Sequence, residues 1–333
     1  MKAMILEQPR PIGEHPLQLV DLPAPEPGVG EVQVRVHVCG ICHTDLHTVE
    51  GELPLLGRPL VIGHQVVGTV EKRGKGTTRF SEGDRVGLAW LASTCGKCRF
   101  CLSGRENLCP DARFTGYDVD GGYAEYTVAK EAFAYRLPDG FADEQAAPLL
   151  CAGIIGFRAL RLSEIQPGSR LGLYGFGASA HVAIQVAVHW RCEVYVFTRS
   201  PAHQDLARSL GATWVGRAEM TPPEKLDSAI IFAPAGELVL DALRVLERGG
   251  TLALAGIYST PVPALNYTEH LYYERTVRSV TAATRQDGEE LLRLAGEIPI
   301  ETEIERFPLH DANRALELLK ASRINGAGVL TIP

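Results

Sequence analysis

Four cysteines lie close together in one stretch of this sequence, at Cys95, Cys98, Cys101 and Cys109. Their spacing is C-x2-C-x2-C-x7-C, and four thiolates at such short intervals can surround one tetrahedral Zn²⁺. Because four protein sulfurs complete the coordination sphere, such an ion would hold a loop in place and leave no position for a substrate. An iron–sulfur cluster can use similar spacing and remains the alternative. The pattern favours a structural zinc site.

A second set of possible metal ligands is spread over distant parts of the chain. Cys42, His64 and Cys151 would supply two sulfurs and one nitrogen, which together with one open position make a catalytic zinc arrangement. Taken singly each residue is weak support, since a buried thiol such as Cys151 in PLLCAGIIGF is ordinary. Spacing alone does not show that these residues converge, so an open zinc site is a hypothesis at this point.

A glycine-rich segment in the second half of the chain suggests a nucleotide site. Gly175, Gly177 and Ala180 form G-x-G-x-x-A directly after the apolar run RLGLY. In a dinucleotide fold the first glycine permits the tight turn, the second lets the backbone approach a pyrophosphate, and the third small residue keeps the helix close to the sheet. Because the motif stands between a predicted strand and a predicted helix, it indicates nicotinamide dinucleotide binding.

The end of the next predicted strand bears on the choice between NAD and NADP. An NAD-binding chain usually places a carboxylate there, about 20 residues after the glycines, for the ribose diol. Here the strand ends in Thr198, Arg199 and Ser200, and no carboxylate stands there to repel a 2′-phosphate. Arg199 could pair with that phosphate and the hydroxyls could donate to it. We favour NADP, with NAD beside a solvated Arg199 as the alternative.

These motifs fall into two regions that differ in their predicted secondary structure. The first 150 residues are rich in short alternating strands such as EVQVRVHVCG and VIGHQVVGTVEKRG, the latter interrupted by glycine, and predict a partly closed β-barrel-like domain. From about residue 150 strands and helices alternate, which predicts a parallel sheet with helices on both faces. The tail reads as two helices and a closing strand, and periodicity does not decide which domain it completes.

Composition restricts the class of protein further. The 333 residues carry a formal net charge of −7, which disfavours nucleic-acid binding. No apolar run approaches the ~18 residues of a membrane helix, and the N-terminal apolar run is too short for a signal peptide. We therefore expect a cytoplasmic protein with no membrane partner. Among its eight cysteines, the crowding of four into one stretch favours metal ligation over disulfides.

The combination and order of these segments resemble the zinc-dependent medium-chain alcohol dehydrogenases. The segments that carry the resemblance are GICHTDLH, the GH of GHQVVG, the four-cysteine loop, PLLCAG and GFGASAH. The resemblance implies an α/β protein, with a GroES-like β-rich catalytic domain over residues 1–152, completed by 286–333. A Rossmann doubly wound domain over 153–285 would bind the nucleotide. It also implies two Zn²⁺ per chain and a homodimer or homotetramer.

The resemblance also implies roles for particular residues. Cys42, His64 and Cys151 would bind a zinc ion that acts as a Lewis acid on the alcohol, before hydride passes to the nicotinamide. Thr44 would take the alcohol proton and His47 would pass it towards solvent. Asp45 would orient the ligand histidine, as such partners usually do, although both Thr44 and Asp45 also suit a local turn or helix cap.

In several places the sequence departs from the family pattern or leaves it open. Gln65 replaces the usual Glu after the ligand histidine, Ile155 replaces a Thr near the nicotinamide, and Ala327 replaces an Arg near the pyrophosphate, for which Arg285 or Arg323 could compensate. The resemblance places His43 and Ile257 at the cofactor. It places Leu53 and Trp90 beside the substrate, although core packing is nearly as good an account of Leu53.

The predicted activity is therefore hydride transfer between a small primary alcohol, unbranched or aromatic, or its aldehyde, and NAD(P). A polyol or secondary-alcohol dehydrogenase on the same scaffold is one alternative. Such relatives often lack the four-cysteine loop or a zinc ligand, and this chain has both sets. A non-catalytic NAD(P)-binding redox sensor is the other alternative, but a sensor would not need the open zinc site or the pair Thr44 and His47.

Overall fold

Two units divide the chain, and each is built from the elements that its sequence pattern predicts. The structure is a computed structural model that describes residues 1–54, 57–298, 300–324 and 326–333. The first unit comprises Met1–Cys151 and Ala282–Pro333, and the second comprises Ala152–Thr281. Each has an apolar core of its own, centred on residues such as Val34, Val66 and Leu316 in the first and Ala229 and Leu243 in the second.

Short strands dominate the first 151 residues. The strands are β1 (Lys2–Leu6), β2 (Leu17–Asp21), β3 (Glu31–Gly40), β4 (Leu60–Val61), β5 (Gln65–Arg73), β6 (Arg85–Leu88), β7 (Leu91–Ser93), β8 (Arg113–Phe114), β9 (Tyr126–Lys130) and β10 (Ala134–Arg136). The helices are α1 (His43–Glu50), α2 (Arg99–Leu102) and α3 (Asp143–Ala146), followed by a 3-10 turn at Ala147–Leu150. The predicted strand VIGHQVVGTVEKRG is thus two strands, β4 and β5, because the extended conformation is interrupted at Gly63.

The second unit alternates strands and helices, as the sequence predicts. Its elements are α4 (Ala152–Leu162), β11 (Arg170–Tyr174), α5 (Ala178–His189), β12 (Glu193–Phe197), α6 (Pro201–Ser209), β13 (Trp214–Gly216), β14 (Leu226–Ile231), α7 (Leu238–Val245), β15 (Leu246–Leu254) and β16 (Thr276–Ser279). The strands form one sheet in the order β13-β12-β11-β14-β15-β16, and every neighbouring pair is parallel. This is the doubly wound arrangement of a dinucleotide-binding domain.

The C-terminal tail returns to the first unit. It contains α8 (Arg285–Glu297), β17 (Ile304–Pro308), α9 (Ala312–Lys320) and β18 (Ala327–Thr331). β18 pairs antiparallel with β3, with Leu330 opposite Cys39, and extends the seven-stranded sheet β10-β6-β5-β3-β18-β17, in which β9 also pairs with β3. A separate sheet has the order β2-β1-β4. The tail, which periodicity left unassigned, therefore packs with residues 1–151.

No single described helix is long and apolar enough to cross a membrane. One bent pair of helical segments, Asp143–Leu150 and Ala152–Leu162, passes the same test of length and composition when taken together. Side chains of that pair, such as Leu149, Leu150 and Phe157, are buried in the protein core.

A tight crossing of two backbone segments positions the chain just before His64. Gly121 N donates to Val61 O at 2.7 Å, and Gly122 N donates to Gly63 O at 2.9 Å. Gly63 has a φ of +96°, a conformation that favours glycine. A Cβ on Gly121 would lie only 1.9 Å from the carbonyl oxygen of Gly63. The two segments can approach this closely only because neither carries a side chain at the crossing.

We expect Gly121→Ala to destabilise the protein by about 3 kcal/mol, because the added methyl group must push two hydrogen-bonded backbones apart. Gly13→Ala is the matched control, since Gly13 is exposed and its added Cβ would meet only Glu317 Oε1, at 3.8 Å. Urea denaturation of both variants measures the difference. Equal stability of the two variants would contradict the close packing described for Gly121.

Candidate functional site

Three distant segments of the first unit bring Cys42, His64 and Cys151 together. Cys42 stands immediately before α1, His64 between β4 and β5, and Cys151 after the 3-10 turn Ala147–Leu150, whose Leu149 and Leu150 are fully buried. His64 Nε2 lies 3.3 Å from Cys42 Sγ and 3.4 Å from Cys151 Sγ, and the two sulfurs are 4.0 Å apart. All three donor atoms lie within 4.8 Å of one another.

The Asp45 carboxylate connects two of these segments. One of its oxygens accepts from Cys42 N at 2.8 Å and completes a capping box at the start of α1, and the other faces His64 Nδ1 at 3.1 Å. Asp45 and His64 are both almost fully buried. The Asp45 side chain therefore caps helix α1 and orients His64 at the same time, so its roles as a helix cap and as the partner of the histidine do not exclude each other. With Nδ1 held in this way, Nε2 faces the two sulfurs.

The two thiols of this cluster differ: the hydrogen bond to Cys42, together with burial, raises the pKa of Cys151, whereas Cys42 is the thiol that ionises readily, as a metal ligand must. The hydrogen bond from Cys151, helped by the nearby His64, holds the pKa of the Cys42 thiol well below its ordinary value. Burial raises the pKa of the Asp45 carboxyl, an effect that the neighbouring His64 opposes. Two sulfurs and one imidazole nitrogen are the donors that Zn²⁺ prefers, with one position left for another ligand.

Helix α1 also carries Thr44 and His47. The Thr44 backbone N–H donates to Cys42 Sγ at 3.3 Å, which places Thr44 beside the sulfur. His47, one turn further along the helix, pairs through Nδ1 with a carboxylate oxygen of Glu52. Sequence reasoning missed Glu52. A signal for it was present, because Gly51 ends the helix in a left-handed turn and returns the next residue towards His47.

An aromatic group lies against the ligand histidine. Trp90 makes an edge contact with the His64 ring at a centroid distance of 5.0 Å, and it stacks on Phe114 at 4.9 Å with an interplanar angle of 17°. Tyr117 stacks on Trp90 from 6.1 Å, and its hydroxyl donates to Pro54 O at 2.7 Å, next to the half-buried Leu53. Sequence reasoning missed Phe114 and Tyr117, since only strand pairing brings them to Trp90.

The four-cysteine loop brings its four sulfur atoms together. Sγ–Sγ distances are 3.5 Å for Cys98 and Cys101 and 3.5 Å for Cys95 and Cys109, and all four sulfurs lie within 4.8 Å of one another. Backbone N–H groups of Lys97 and Cys98 lower the pKa of Cys95 to about 7. The antiparallel pair β7–β8 joins the two ends of the loop. Four sulfurs converging on one point fit a tetrahedral metal ion with no open position.

The glycine-rich turn of the second unit has the geometry that its motif predicts. Gly175 has a φ of +83° and sits so close to Ala233 that an added Cβ would be 3.0 Å from that residue's Cβ. Gly177 precedes α5 and has open space where a side chain would stand, while Ala180 is fully buried. The N-terminus of α5 therefore offers free backbone N–H groups to an anion such as a pyrophosphate.

The end of β12 places three predicted residues at one edge of the sheet. Thr198 is buried and its N–H donates to Gly216 O. Ser200 is the N-cap of α6, where its Oγ accepts from His203 N at 3.4 Å and keeps its own proton for another acceptor. Arg199 is exposed, and none of the residues that the structure describes pairs with its guanidinium.

The remaining predicted residues have different surroundings. Gln65 is buried beside the ligand histidine, and its Nε2 has no partner among the described residues. His43 is exposed at the start of α1, whereas in the second unit Ile155 is half-buried on α4 and Ile257 is exposed after β15.

Three more residues bear on the missing arginine near the pyrophosphate. Ala327 begins β18 opposite Ile304. Arg285 is engaged by Glu106 at 3.2 Å and stacks over Phe133, so it is a poor substitute for a free phosphate-binding arginine. Arg323 is exposed.

Comparisons with known proteins agree with this geometry. Residues 28–139 match the alcohol dehydrogenase GroES-like domain family, and residues 180–297 match the zinc-binding dehydrogenase family. A probable alcohol dehydrogenase of Mycobacterium tuberculosis is 49% identical over 100% of this chain and 97% of its own length.

Two solved structures are also similar. A cinnamyl alcohol dehydrogenase from Sorghum bicolor has 29% identity and a TM-score of 0.89, with 99% of this chain and 97% of that one covered. A CAD from Helicobacter pylori complexed with NADP(H) has 26% identity and a TM-score of 0.88, with 99% and 97% covered.

A GroES-like unit with converging zinc donors and a Rossmann unit with a dinucleotide turn define a zinc-dependent dehydrogenase. The chain belongs to the zinc-dependent medium-chain alcohol dehydrogenase family. It is an NAD(P)-dependent enzyme that interconverts alcohols and aldehydes. The predicted family, fold class and reaction class are thus confirmed.

Proposed function

We propose that the enzyme interconverts unbranched or aromatic primary alcohols and their aldehydes, uses NADP in preference to NAD, and holds two zinc ions. Metal chemistry would belong to residues 1–152 with 286–333, and cofactor binding to 153–285. The observation that carries the proposal is the convergence of Cys42, His64 and Cys151 beside Thr44 and the Trp90 ring.

Each residue of this site would have a separate role in proton transfer or in orienting the metal ligands. When bound, the zinc ion supplies Lewis acidity that favours the alkoxide over the alcohol near neutral pH. Thr44 accepts and passes on the substrate proton, and His47 moves it towards solvent with Glu52 holding the other side of its ring. Asp45 keeps the His64 ring oriented. The cofactor carries the hydride.

Gln65 distinguishes this site from the usual family pattern. It is buried next to His64, and an amide there retains an oxygen donor but lacks the negative charge of the usual glutamate. We expect the metal site to be slightly more electropositive, and ligand exchange at the metal to differ in rate. The proton and hydride steps do not require the missing charge.

We predict two zinc ions per wild-type chain, measured by mass spectrometry of the metal. Cys42→Ser should retain one zinc and its fold while kcat falls about 1,000-fold or more, because the Lewis acid is lost. Cys98→Ser should also retain one zinc, but should lower the midpoint of thermal unfolding, because the four-cysteine loop loses its cross-link. A fully active Cys42→Ser enzyme would contradict the catalytic assignment.

The substrate class is inferred from the aromatic group beside the metal ligands. Trp90 makes an edge contact with His64 and stacks on Phe114 and Tyr117, so its bulky indole is held rigidly beside the metal ligands. A rigid bulky group there leaves more room for an extended chain or an aromatic ring than for a branched carbon next to the reacting atom. The similarity to a cinnamyl alcohol dehydrogenase supports aromatic substrates.

The preference for NADP rests on the charge at the end of β12. Arg199 is exposed, and within the described ranges no carboxylate pairs with it, so its guanidinium is available for a phosphate. The Ser200 hydroxyl can donate from the start of α6.

We expect kcat/KM for benzaldehyde reduction to be higher with NADPH than with NADH. Arg199→Ala should lower the NADPH value about tenfold or more and leave the NADH value within about twofold, because only the former cofactor has a 2′-phosphate. Arg208→Ala, which removes an exposed arginine from the following helix α6, should change neither value. A preference for NADH in the wild type would overturn the cofactor assignment, and no turnover of any aldehyde would overturn the proposed activity.

A homo-oligomer is the proposed assembly, with β16 as the contact between copies. All four residues of β16 are exposed, and β16 is one of the two edge strands of its sheet, the other being β13. Exposed aromatic side chains lie nearby in sequence at Tyr267, Tyr272 and Tyr273. An uncovered edge strand beside exposed apolar surface favours pairing with another strand, and a second copy can supply one around a two-fold axis.

We predict that Val277→Asp shifts the protein towards the monomer in sedimentation velocity experiments, because a charge is placed on the paired strand. Val29→Asp is the control, since Val29 is exposed to 72% in the first unit. A wild-type protein that sediments as a monomer at micromolar concentration would refute this assembly, as would an unchanged oligomer in Val277→Asp.

A further inference from the structure

Tyr123 occupies an unusual place beside the proposed catalytic metal site. Its side chain is fully buried, and its backbone N–H donates to Ile62 O at 3.0 Å, two residues before His64. A Cβ on Gly63 would lie 2.3 Å from the Tyr123 ring. The ring therefore packs closely against the residue that directly precedes the ligand histidine, and the absence of a side chain at Gly63 makes room for it.

The hydroxyl of this tyrosine makes no full hydrogen bond to a described residue, and the Asp45 carboxylate is an acceptor within its reach. Leaving a buried hydroxyl without a partner costs on the order of 1–3 kcal/mol, so a hydrogen bond to a nearby acceptor would be favourable here. Burial, followed by the negative charge of Asp45, raises the pKa of Tyr123. The phenol thus keeps its proton and is a donor near an acidic acceptor.

Asp45 has the capacity to accept that proton. Its two oxygens each take one protein donor, Cys42 N and the His64 ring. A carboxylate can accept about four hydrogen bonds, and this one is buried, so water does not readily supply the others. The Cys39 thiol also lies next to Gly63. It is a poor alternative acceptor for the tyrosine hydroxyl, because it donates to Gly40 O and thiol sulfur accepts hydrogen bonds weakly.

We propose that Tyr123 is a positioning residue for the catalytic metal: its hydroxyl donates to the Asp45 carboxylate, which in turn orients the ligand His64. This inference rests on the proposed zinc site. The hydrogen bond from the tyrosine restricts the rotation of the Asp45 carboxylate. Because Asp45 also caps α1 at Cys42, the same hydrogen bond steadies two of the three proposed ligands.

Metal release tests the proposal without relying on activity. Zinc-loaded wild type and Tyr123→Phe are mixed with a chromophoric chelator, whose colour reports the rate at which zinc leaves each of the two sites. The phase that comes from the catalytic site is identified with Cys42→Ser, in which that phase is missing. We expect Tyr123→Phe to speed the catalytic phase about threefold to tenfold, a smaller effect than direct loss of the histidine's partner, and to leave the four-cysteine phase unchanged.

Tyr174→Phe is the matched control, because Tyr174 has an equally buried hydroxyl without a described partner but lies in the second unit. It should alter neither release phase. Combining Tyr123→Phe with Asp45→Asn gives a further test: if the tyrosine acts through Asp45, it should add almost nothing to the effect of Asp45→Asn.

The outcomes separate the two proposals. A wild-type protein with only the four-cysteine zinc refutes the catalytic site itself. Two zinc ions with an unchanged catalytic phase in Tyr123→Phe overturn only the role of Tyr123. Equal acceleration of both phases, or effects of Tyr123→Phe and Asp45→Asn that simply add, would also overturn it, since these results indicate general loosening of the fold.

Discussion

The buried Asp45 carboxylate is the interaction on which the proposed active site depends. It accepts from the backbone at Cys42 and faces the ring of His64, so it connects the start of α1 to the loop before β5. An isolated buried carboxylate would be strongly unfavourable. Its donors offset that cost, and in doing so they set the direction of the histidine and the position of the first sulfur. The ligand geometry follows from the need to satisfy one buried charge.

Glycines beside this carboxylate are as important as the polar groups. His64 is close to Cys42 and Cys151 because the backbone at Gly63 is crossed by Gly121 at a distance that no side chain would allow. Trp90 contacts the His64 ring, and the paired strands β7 and β8 connect Trp90 and Phe114 to the two ends of the four-cysteine loop. A metal in that loop would therefore stabilise the strands that carry the aromatic surface of the proposed substrate site.

The two units differ in how fully short-range sequence predicts them. In the second unit the turn at Gly175, the open position at Gly177 and the buried Ala180 follow directly from the motif, because a tight strand–helix connection has few backbone solutions. The first unit depends on long-range pairing. For example, β18 joins the sheet of the first unit by pairing with β3, where Leu330 lies opposite Cys39, so neither periodicity nor composition could assign the tail.

By itself the sequence determined which residues could bind metal and cofactor, since thiols, imidazole and glycines at those spacings have limited chemistry. It also determined the alternation of strands and helices that builds the parallel sheet. Only the tertiary structure decided which residues surround them: Glu52 on His47, Phe114 and Tyr117 on Trp90, and Tyr123 beside Gly63. Donor chemistry is a property of single side chains, whereas each of these contacts exists only once separate segments of the chain have packed together.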